Sequence, residues 1–386
     1  CNTHNMLKLT RALFAREPDA RYLDFYERGL YNHILASQDP ARGMFTYLMP
    51  MAPGYAKTYS TPEHSFWCCV GTGMESHAKY GDTVFSHSDD ALFVNLFIPA
   101  SVSWRERGLT LTQVTDFPEA DTTNLTVAAE GPVEFDLRVR HPGWADGPLQ
   151  TSINGGPFSP LPSAPGSYAV VVRTWQPGDE VTIRLPMSLR AEPLPGDDDT
   201  VALFYGPIAL AARLGTDDVR SPYAIQQITH ARAPAPDVPV FVSDEADWLQ
   251  RLEKVGEAPL IFRTRDLARP RDVTLEPFYA VHHERMAVYW SLLSPEAWSA
   301  RQRAITDVEK RIGRARGSAV DSVGVGDLVS EAAHALVLRG DGLQSGRVSG
   351  RTWRQATRKS AFGYTLATGG EEDLALVCVV GARDRH

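Results

Sequence analysis

The hydrophobic pattern changes its period near residue 90, and this change constrains the fold more than any other feature of the sequence. Over residues 2–15, apolar side chains recur three and four positions apart, at Met6, Leu7, Leu9, Leu13 and Phe14. Over residues 133–140, apolar and charged residues alternate instead. A helix repeats every 3.6 residues and a strand every two. The chain is therefore expected to begin with helices and to continue with strands.

Three helices are predicted before residue 90. A Glu-Pro-Asp sequence at residues 17–19 ends the first helix. The second begins near Tyr22, and its apolar side carries Leu23, Tyr26, Leu30 and Ile34. The third follows the cysteine pair at residues 68–69 and ends near Gly81. We therefore expect a helical unit over residues 1–90.

Short alternating segments follow this helical unit. They are residues 92–98, 109–114, 133–140, 181–185, 201–205 and 278–290. Turn sequences such as Asn154-Gly155-Gly156 separate them, a spacing typical of an antiparallel β-sandwich. We expect one or two such domains over residues 91–290, with an exposed connection at residues 231–239, where closely spaced prolines suit neither a helix interior nor a central strand.

The last part of the chain, residues 291–386, is expected to form a helix and a β-rich domain. The helix is polar and runs from about Pro295 to Arg314. The sequence then returns to a strand-like pattern and ends in a predicted strand at residues 374–380. No repeat or low-complexity segment accompanies it.

Charge and hydropathy exclude two classes of partner. The 386 residues carry a formal net charge of −8, which argues against the basic surface that nucleic-acid binding requires. Charges and prolines interrupt every apolar stretch before it could cross a bilayer. The chain begins at Cys1 rather than methionine, so we expect a preceding segment. The compartment stays open, with a periplasmic or extracellular bacterial location favoured over the cytoplasm; the sequence gives no oligomeric state.

The adjacent cysteines, Cys68 and Cys69, are the sharpest chemical feature. They stand before a predicted helix start, where unpaired N–H groups favour a thiolate. Cys1 could supply a third sulfur if the first helix folds back, and three sulfurs with one more ligand make a tetrahedral zinc site. Four cysteines do not form a disulfide scaffold in a chain of this size. Ordinary buried cysteines remain the alternative interpretation.

Several segments together resemble a known family. Residues 1–11, 26–32 and 65–75 are similar to motifs of glycoside hydrolase family 127 and its close relative family 146, the β-L-arabinofuranosidases. The resemblance continues through residues 93–97 and 278–285 and weakens in the last third. It implies that the first helices close an (α/α)6 barrel whose earlier helices lie upstream, and that antiparallel β-sandwiches follow.

The resemblance also implies a catalytic site. Cys1, Cys68 and Cys69 match the family's three sulfur ligands to Zn²⁺, and Cys68 matches its nucleophile. The family's ligand glutamate and its acid/base glutamate would both lie upstream of Cys1. The expected function is retaining hydrolysis that releases β-L-arabinofuranose from an arabinofuranose-containing oligosaccharide or glycoside, with no activity expected of this chain alone.

Glu27 and Tyr47 fall where the family places side chains that contact the sugar. For Glu27 the alternative is a solvent-facing salt bridge, and for Tyr47 it is core packing. Weaker candidates for the site are Glu63, His64, Trp67, Glu75, His77, His282 and His283. The two histidines near residue 282 are predicted to lie in a strand, where alternation would send them to opposite faces.

Two other functions remain possible from the sequence. A polysaccharide lyase can also combine a helical toroid with a β-sandwich, although it needs a Tyr/His or Arg arrangement beside a uronate. A non-catalytic module could use zinc only to join its helices while the sandwich binds glycan. Replacement of Cys68 by serine separates catalysis from a purely structural role.

Overall fold

The computed structural model describes residues 1–47, 49–216, 219, 238–348, 351–357, 359–371, 373 and 375–378. Within them the protein is mostly β, with few helices. The α-helices are α1 (Asn2–Arg16), α2 (Ala20–Gly29), α3 (Cys68–His77), α4 (Pro295–Gly317) and α5 (Leu328–Ala333). None of the helices described is long and apolar enough to cross a bilayer.

The first two helices form where the sequence predicts them. Asp19 caps α2, because its side chain accepts a hydrogen bond from the Arg21 backbone N–H at 2.9 Å. The prediction of the buried face of α1 was partly wrong. Its buried residues are His4, Leu7, Thr10 and Phe14. Met6, Leu9 and Leu13 stay exposed on another side of the helix, because the elements present here cover only one of its two apolar sides.

The ends of α2 and α3 differ from those that the hydrophobic pattern predicts. After Gly29, α2 continues as a π-helical turn (Leu30–Ile34) and a 3-10 turn (Leu35–Ser37). The cysteine helix α3 ends at His77, not near Gly81, and a 3-10 turn follows at Tyr80–Thr83. These irregular turns keep the chain compact where the 3.6-residue period breaks.

A two-sheet sandwich follows the helices. Its strands are β2 (Phe85–His87), β3 (Ala91–Val94), β4 (Ala100–Trp104), β5 (Leu109–Thr115), β6 (Thr122–Ala129), β7 (Val133–His141), β8 (Leu149–Ile153), β9 (Ser159–Leu161), β10 (Ser167–Trp175) and β11 (Glu180–Arg184). Four of them form one sheet, in the order β10-β7-β3-β2. The other six form the second, in the order β4-β5-β6-β11-β8-β9.

Alternation in β7 sets the core of this sandwich. Phe135, Leu137 and Val139 point inward and join a core with Trp175. The expected antiparallel pairing holds for most neighbours, but β3 and β7 run parallel. The sheet therefore brings two strands distant in sequence side by side.

A second β-layer starts near residue 189. Its strands are β12 (Leu189–Leu194), β13 (Asp197–Tyr205), β14 (Ile208–Arg213), β15 (Val240–Val242), β16 (Leu252–Lys254), β17 (Phe262–Thr264), β18 (Ala268–Arg269), β19 (Thr274–Pro277), β20 (Arg285–Ala287) and β21 (Tyr289–Leu293). A two-residue strand from the helical region, β1 (Tyr55–Ala56), pairs with β20 and adds to this sheet. The helical region and this layer are thus joined by backbone hydrogen bonds.

One strand prediction in this layer was wrong. Residues 278–290 are not a continuous strand: a 3-10 turn at Phe278–Ala280 comes first, and two short strands, β20 and β21, follow. His283 has φ +60°, a left-handed conformation that no strand contains. The predicted connection at 231–239 lies outside the described residues apart from its last two positions.

The C-terminal part carries α4, α5 and four short strands. These are β22 (Val337–Arg339), β23 (Leu343–Val348), β24 (Arg351–Ala356) and β25 (Ala361–Gly363). The polar helix runs to Gly317, slightly beyond the predicted Arg314, and no residue of it is buried. Of the predicted strand at 374–380, residues 375–378 are described and form none.

Candidate active site

Three cysteine sulfurs lie together at the junction of α1 and α3. Cys1 precedes the first turn of α1, and Cys68 and Cys69 open α3. All three sulfur atoms lie within 4.8 Å of one another. The Sγ atoms of Cys1 and Cys69 are 3.7 Å apart. Helix packing thus unites sulfurs from distant positions in the chain, while Cys68 stays exposed to solvent.

The sulfur geometry suits zinc. Zn–S bonds of about 2.3 Å in a tetrahedral site place the sulfurs about 3.8 Å apart. Burial raises the pKa of the Cys69 thiol, because a thiolate loses hydration there. A bound cation reverses that effect, since coordinating thiols are deprotonated. Three soft sulfur donors at these separations are therefore a chemically reasonable set for Zn²⁺.

A hydroxyl supports the same cluster. The Oγ1 of Thr72 lies 3.6 Å from the Cys1 Sγ and 3.3 Å from the Cys68 carbonyl oxygen. Thr72 follows Cys68 by one helical turn, so the helix itself sets this distance. Thr72 is not among the candidates predicted from the sequence, although its i+4 spacing from Cys68 could have indicated it.

Two aromatic rings pack together at the residue that precedes the exposed cysteine. Tyr47 packs edge-on against Trp67, with ring centroids 5.9 Å apart. Trp67 is the residue immediately before Cys68, and the Phe66 side chain is 88% exposed. Tyr47 therefore contacts Trp67, the residue immediately before the proposed nucleophile Cys68. Contact between Tyr47 and a sugar stays a prediction.

Glu27 is buried, which differs from the solvent-facing salt bridge that the sequence left as an alternative. Its side chain is 1% exposed and does not face solvent. Arg140 of β7 donates to Glu27 Oε1 at 2.5 Å, and the Trp144 indole donates to Oε2 at 2.7 Å. Arg140 also pairs with Asp24 at 2.6 Å. Glu27 thus joins the helices to the sandwich, and its predicted contact with a sugar stays a prediction.

The weaker candidates are exposed or only partly buried. Glu63 and His64 are exposed in the loop before Cys68. Glu75 forms an ion pair with Lys79 at 2.9 Å, and its carboxylate lies 3.2 Å from Nε2 of the buried His4. His77 packs against Phe45 and Tyr80.

His282 and His283 contradict the predicted strand geometry. Their rings lie 6.2 Å apart, and both pack against Tyr59, at 6.0 and 5.4 Å respectively. The left-handed conformation of His283 turns the backbone, so the two side chains reach the same cluster rather than opposite faces.

Comparisons with known proteins place these observations in a family. The family model described as the GH127 catalytic domain of β-L-arabinofuranosidase matches residues 1–82, and the GH127 middle domain matches residues 91–187. A domain of unknown function, DUF4986, matches residues 190–292. Comparison with curated proteins gives no match.

Solved structures share the fold. A GH127 β-L-arabinofuranosidase from Geobacillus stearothermophilus is 24% identical, with TM-score 0.55, over 75% of this chain and 49% of the other. A structure described as a glycoside hydrolase is 20% identical, with TM-score 0.56, over 76% and 52%. A GH127 β-arabinofuranosidase is 20% identical, with TM-score 0.59, over 76% and 50%.

The chain spans about half the length of these structures. At such identities their likeness concerns the fold, whereas the two successive GH127 domain models concern the sequence itself. Residues 1–82 and 91–187 of the chain therefore belong to glycoside hydrolase family 127, since they match its catalytic and middle domain models.

Proposed function

We propose that this chain is part of a retaining glycoside hydrolase that releases β-L-arabinofuranose, with Cys68 as nucleophile and Cys1, Cys68 and Cys69 as zinc ligands. The observation that carries the proposal is the convergence of three sulfurs with one of them exposed. A purely structural zinc site is usually closed, whereas a catalytic site keeps a face open to substrate. The exposure of Cys68 favours the catalytic alternative.

Each group has a distinct role in the proposed mechanism. Zinc, when bound, would keep the sulfurs ionised at neutral pH. The Cys68 thiolate then needs no separate base, and it attacks the anomeric carbon while the bond to the leaving oxygen breaks. A carboxylic acid gives its proton to that oxygen. The same group, now a carboxylate, takes a proton from the water that cleaves the thioglycoside, and two inversions give net retention.

The acid/base carboxylate and a fourth ligand are proposed to come from outside this chain. Among the described residues, the cluster of potential ligands contains the three cysteines alone. We accordingly expect no turnover of a β-L-arabinofuranoside by the chain as it stands. Measurable release of arabinose by this chain alone would contradict that expectation.

The helices are proposed to close an (α/α)6 barrel. Met6, Leu9 and Leu13 form an exposed apolar side of α1, and Phe25 on α2 is exposed as well. Such a surface is unusual for a helix that has all its neighbours. Further helices of a barrel would cover it, in agreement with the greater length of the similar structures.

The test compares two serine variants in a longer polypeptide that includes the upstream carboxylates. Cys68→Ser should abolish turnover in molecules that remain folded. Both variants lose a zinc ligand, but Cys69→Ser keeps the nucleophile, so its zinc content should fall while the zinc-loaded molecules keep measurable turnover. NMR of the first product should show the β-anomer of arabinose. An α-anomer, or turnover by Cys68→Ser, would overturn the proposed mechanism.

A further inference from the structure

The described residues of the loop of residues 38–60, which are 38–47 and 49–60, lie between the cysteine helix and the second β-layer. Isolated bridges Gln38–Phe45 and Thr46–Tyr59 fold the loop back on itself. The Phe45 backbone also exchanges hydrogen bonds with Ser60, at 2.8 Å to the Phe45 carbonyl and 3.1 Å to the Ser60 hydroxyl. The two arms of the loop are thus held together by hydrogen bonds. A displacement at one end of the loop can therefore move the other end.

One side of this loop packs on α3. The Phe45 ring lies so close to Gly73 that a Cβ there would be 2.7 Å from a ring carbon. The same ring lies 5.4 Å from the His77 ring, centroid to centroid. Tyr47, two residues further along, packs against Trp67 just before Cys68. The loop therefore touches both the start and the end of the cysteine helix.

The other side of the loop is paired with residues 278–287, which we call the clamp segment. Tyr55 and Ala56 pair with Met286 and Arg285 as antiparallel strands. The Arg285 guanidinium donates to the Gly54 carbonyl at 2.7 Å, and the Lys57 ammonium donates to the Phe278 carbonyl at 3.2 Å. Lys57 is 1% exposed, and its Nζ also lies 4.4 Å from the centroid of the Phe278 ring.

Two histidines of the clamp segment complete the contact. The His282 Nε2 lies 2.7 Å from the Tyr279 carbonyl, so this nitrogen carries the hydrogen. In the neutral ring, Nδ1 then accepts from the Tyr59 hydroxyl at 2.5 Å. His283 contacts Asp39 at 2.9 Å, and both Tyr59 and Asp39 are fully buried. Each arm of the loop therefore has its own histidine partner.

We propose that the clamp segment positions the cysteine site: it fixes the loop of residues 38–60, which in turn holds α3 and its sulfurs in place. His282 and His283 are positioning residues in this arrangement. They act on Cys68 through Tyr59, Phe45 and Gly73. This gives a role to a segment inside the region that matches a domain of unknown function.

The significance for catalysis rests on the proposed function, but the mechanical claim can be tested without turnover. Amide hydrogen exchange and thiol alkylation are measured on the zinc-loaded chain and on His282→Ala and Tyr59→Phe. Exposed Cys378, far away in sequence, is the internal reference for alkylation. His282→Ala should speed exchange in residues 67–77 and alkylation of Cys68 relative to Cys378 by about fivefold, the factor for one lost buried hydrogen bond. Tyr59→Phe, which loses the same bond and keeps its ring, should show the same direction.

The matched control is Leu252→Ala in edge strand β16. It truncates a core residue of the same layer, but β16 pairs with β17 rather than with the clamp segment. This variant should lower the unfolding midpoint and leave exchange in residues 67–77 unchanged. Equal acceleration by Leu252→Ala and His282→Ala, or acceleration confined to the clamp segment in His282→Ala, would overturn the proposal. Neither result depends on whether the complete enzyme hydrolyses arabinofuranosides.

Discussion

At the scale of single residues, Glu27 shows that a sequence motif can contain a residue without revealing which residues it contacts in the structure. The helical pattern of α2 says nothing about Arg140, which lies 113 positions away. In the structure Arg140 is fully buried and meets two carboxylates and the Asn95 carbonyl. A buried guanidinium of this kind is stable only while its partners are present.

We predict that Arg140→Met destabilises the protein strongly. The change leaves the buried Glu27 carboxylate without its cation, for which a loss of about 3–5 kcal/mol is typical. Urea unfolding followed by tryptophan fluorescence measures the effect. Arg138→Met is the control on the same strand: Arg138 is more exposed and pairs with Asp136 at 3.4 Å, so the loss should stay below about 1 kcal/mol. Equal losses for the two variants would refute the interface role.

At the scale of elements, the hydrophobic period predicted most of the helices and strands, but not what they touch. The alternation of β7 and the helical spacing of α1 depend on near neighbours in sequence, and both elements form as expected. The buried side of α1 and the break at residues 281–284 depend on distant segments. Likewise, the cysteine pair marked a candidate site, while the loop that supports it only becomes visible once Phe45 meets Gly73 in space.

Two glycines in α3 allow this contact to be tested. Gly73→Ala should destabilise the protein by about 1–3 kcal/mol, because its Cβ would overlap the Phe45 ring. Gly71→Ala is the control in the same helix, where a Cβ meets nothing within 4 Å. It should instead stabilise the helix by about 0.5–1 kcal/mol. Thermal unfolding of both variants measures the difference, and a destabilising Gly71→Ala would show that the helix, not the contact, dominates.

The clamp segment should weaken in acid. Burial, together with the nearby Lys57 charge, lowers the pKa of His282 to about 4, whereas an unfolded histidine titrates near about 6.5. The unfolded chain therefore binds more protons within this window, so stability falls as pH drops from about 6.5 to 4. Lys57, whose pKa burial lowers to about 7, titrates mainly above the window.

Unfolding midpoints at several pH values between about 4 and 7 measure this effect. His282→Gln should show a shallower decline than the unchanged chain. It leaves the other nearby groups, Asp39, Lys57, Tyr59 and His283, in place. An unchanged slope would assign the acid sensitivity to a different group.

At the scale of the whole molecule, the exposed apolar side of α1 departs from what a self-contained fold would show. Leu9 is 50% exposed there, beside Met6 and Leu13. Surfaces of this kind favour association. About half of the similar structure from Geobacillus stearothermophilus lies outside the part that this chain matches. This agrees with a surface that further helices would cover.

We predict that the chain self-associates through this side of α1. Leu13→Glu should lower the associated fraction at a given concentration without changing the circular dichroism spectrum. Sedimentation velocity over a concentration series measures it. Leu7→Glu is the contrasting variant, because Leu7 is buried in the helical core and a charge there should disrupt folding. Unchanged association in a folded Leu13→Glu would exclude this surface.

The separation of the three sulfurs along the chain has a topological consequence. Cys1 and Cys69 are 68 positions apart, so an ion shared between them closes a ring of polypeptide. In the chain-entropy description, a covalent cross-link over such a ring restricts the unfolded ensemble by about 4 kcal/mol, and a tightly held ion acts in the same way. The ion that keeps the nucleophile ionised would then also cross-link the segments of the helical region that carry Cys1 and Cys69. Removal of the ion by a chelator would lower the stability of the helical region and abolish the catalytic activity at the same time.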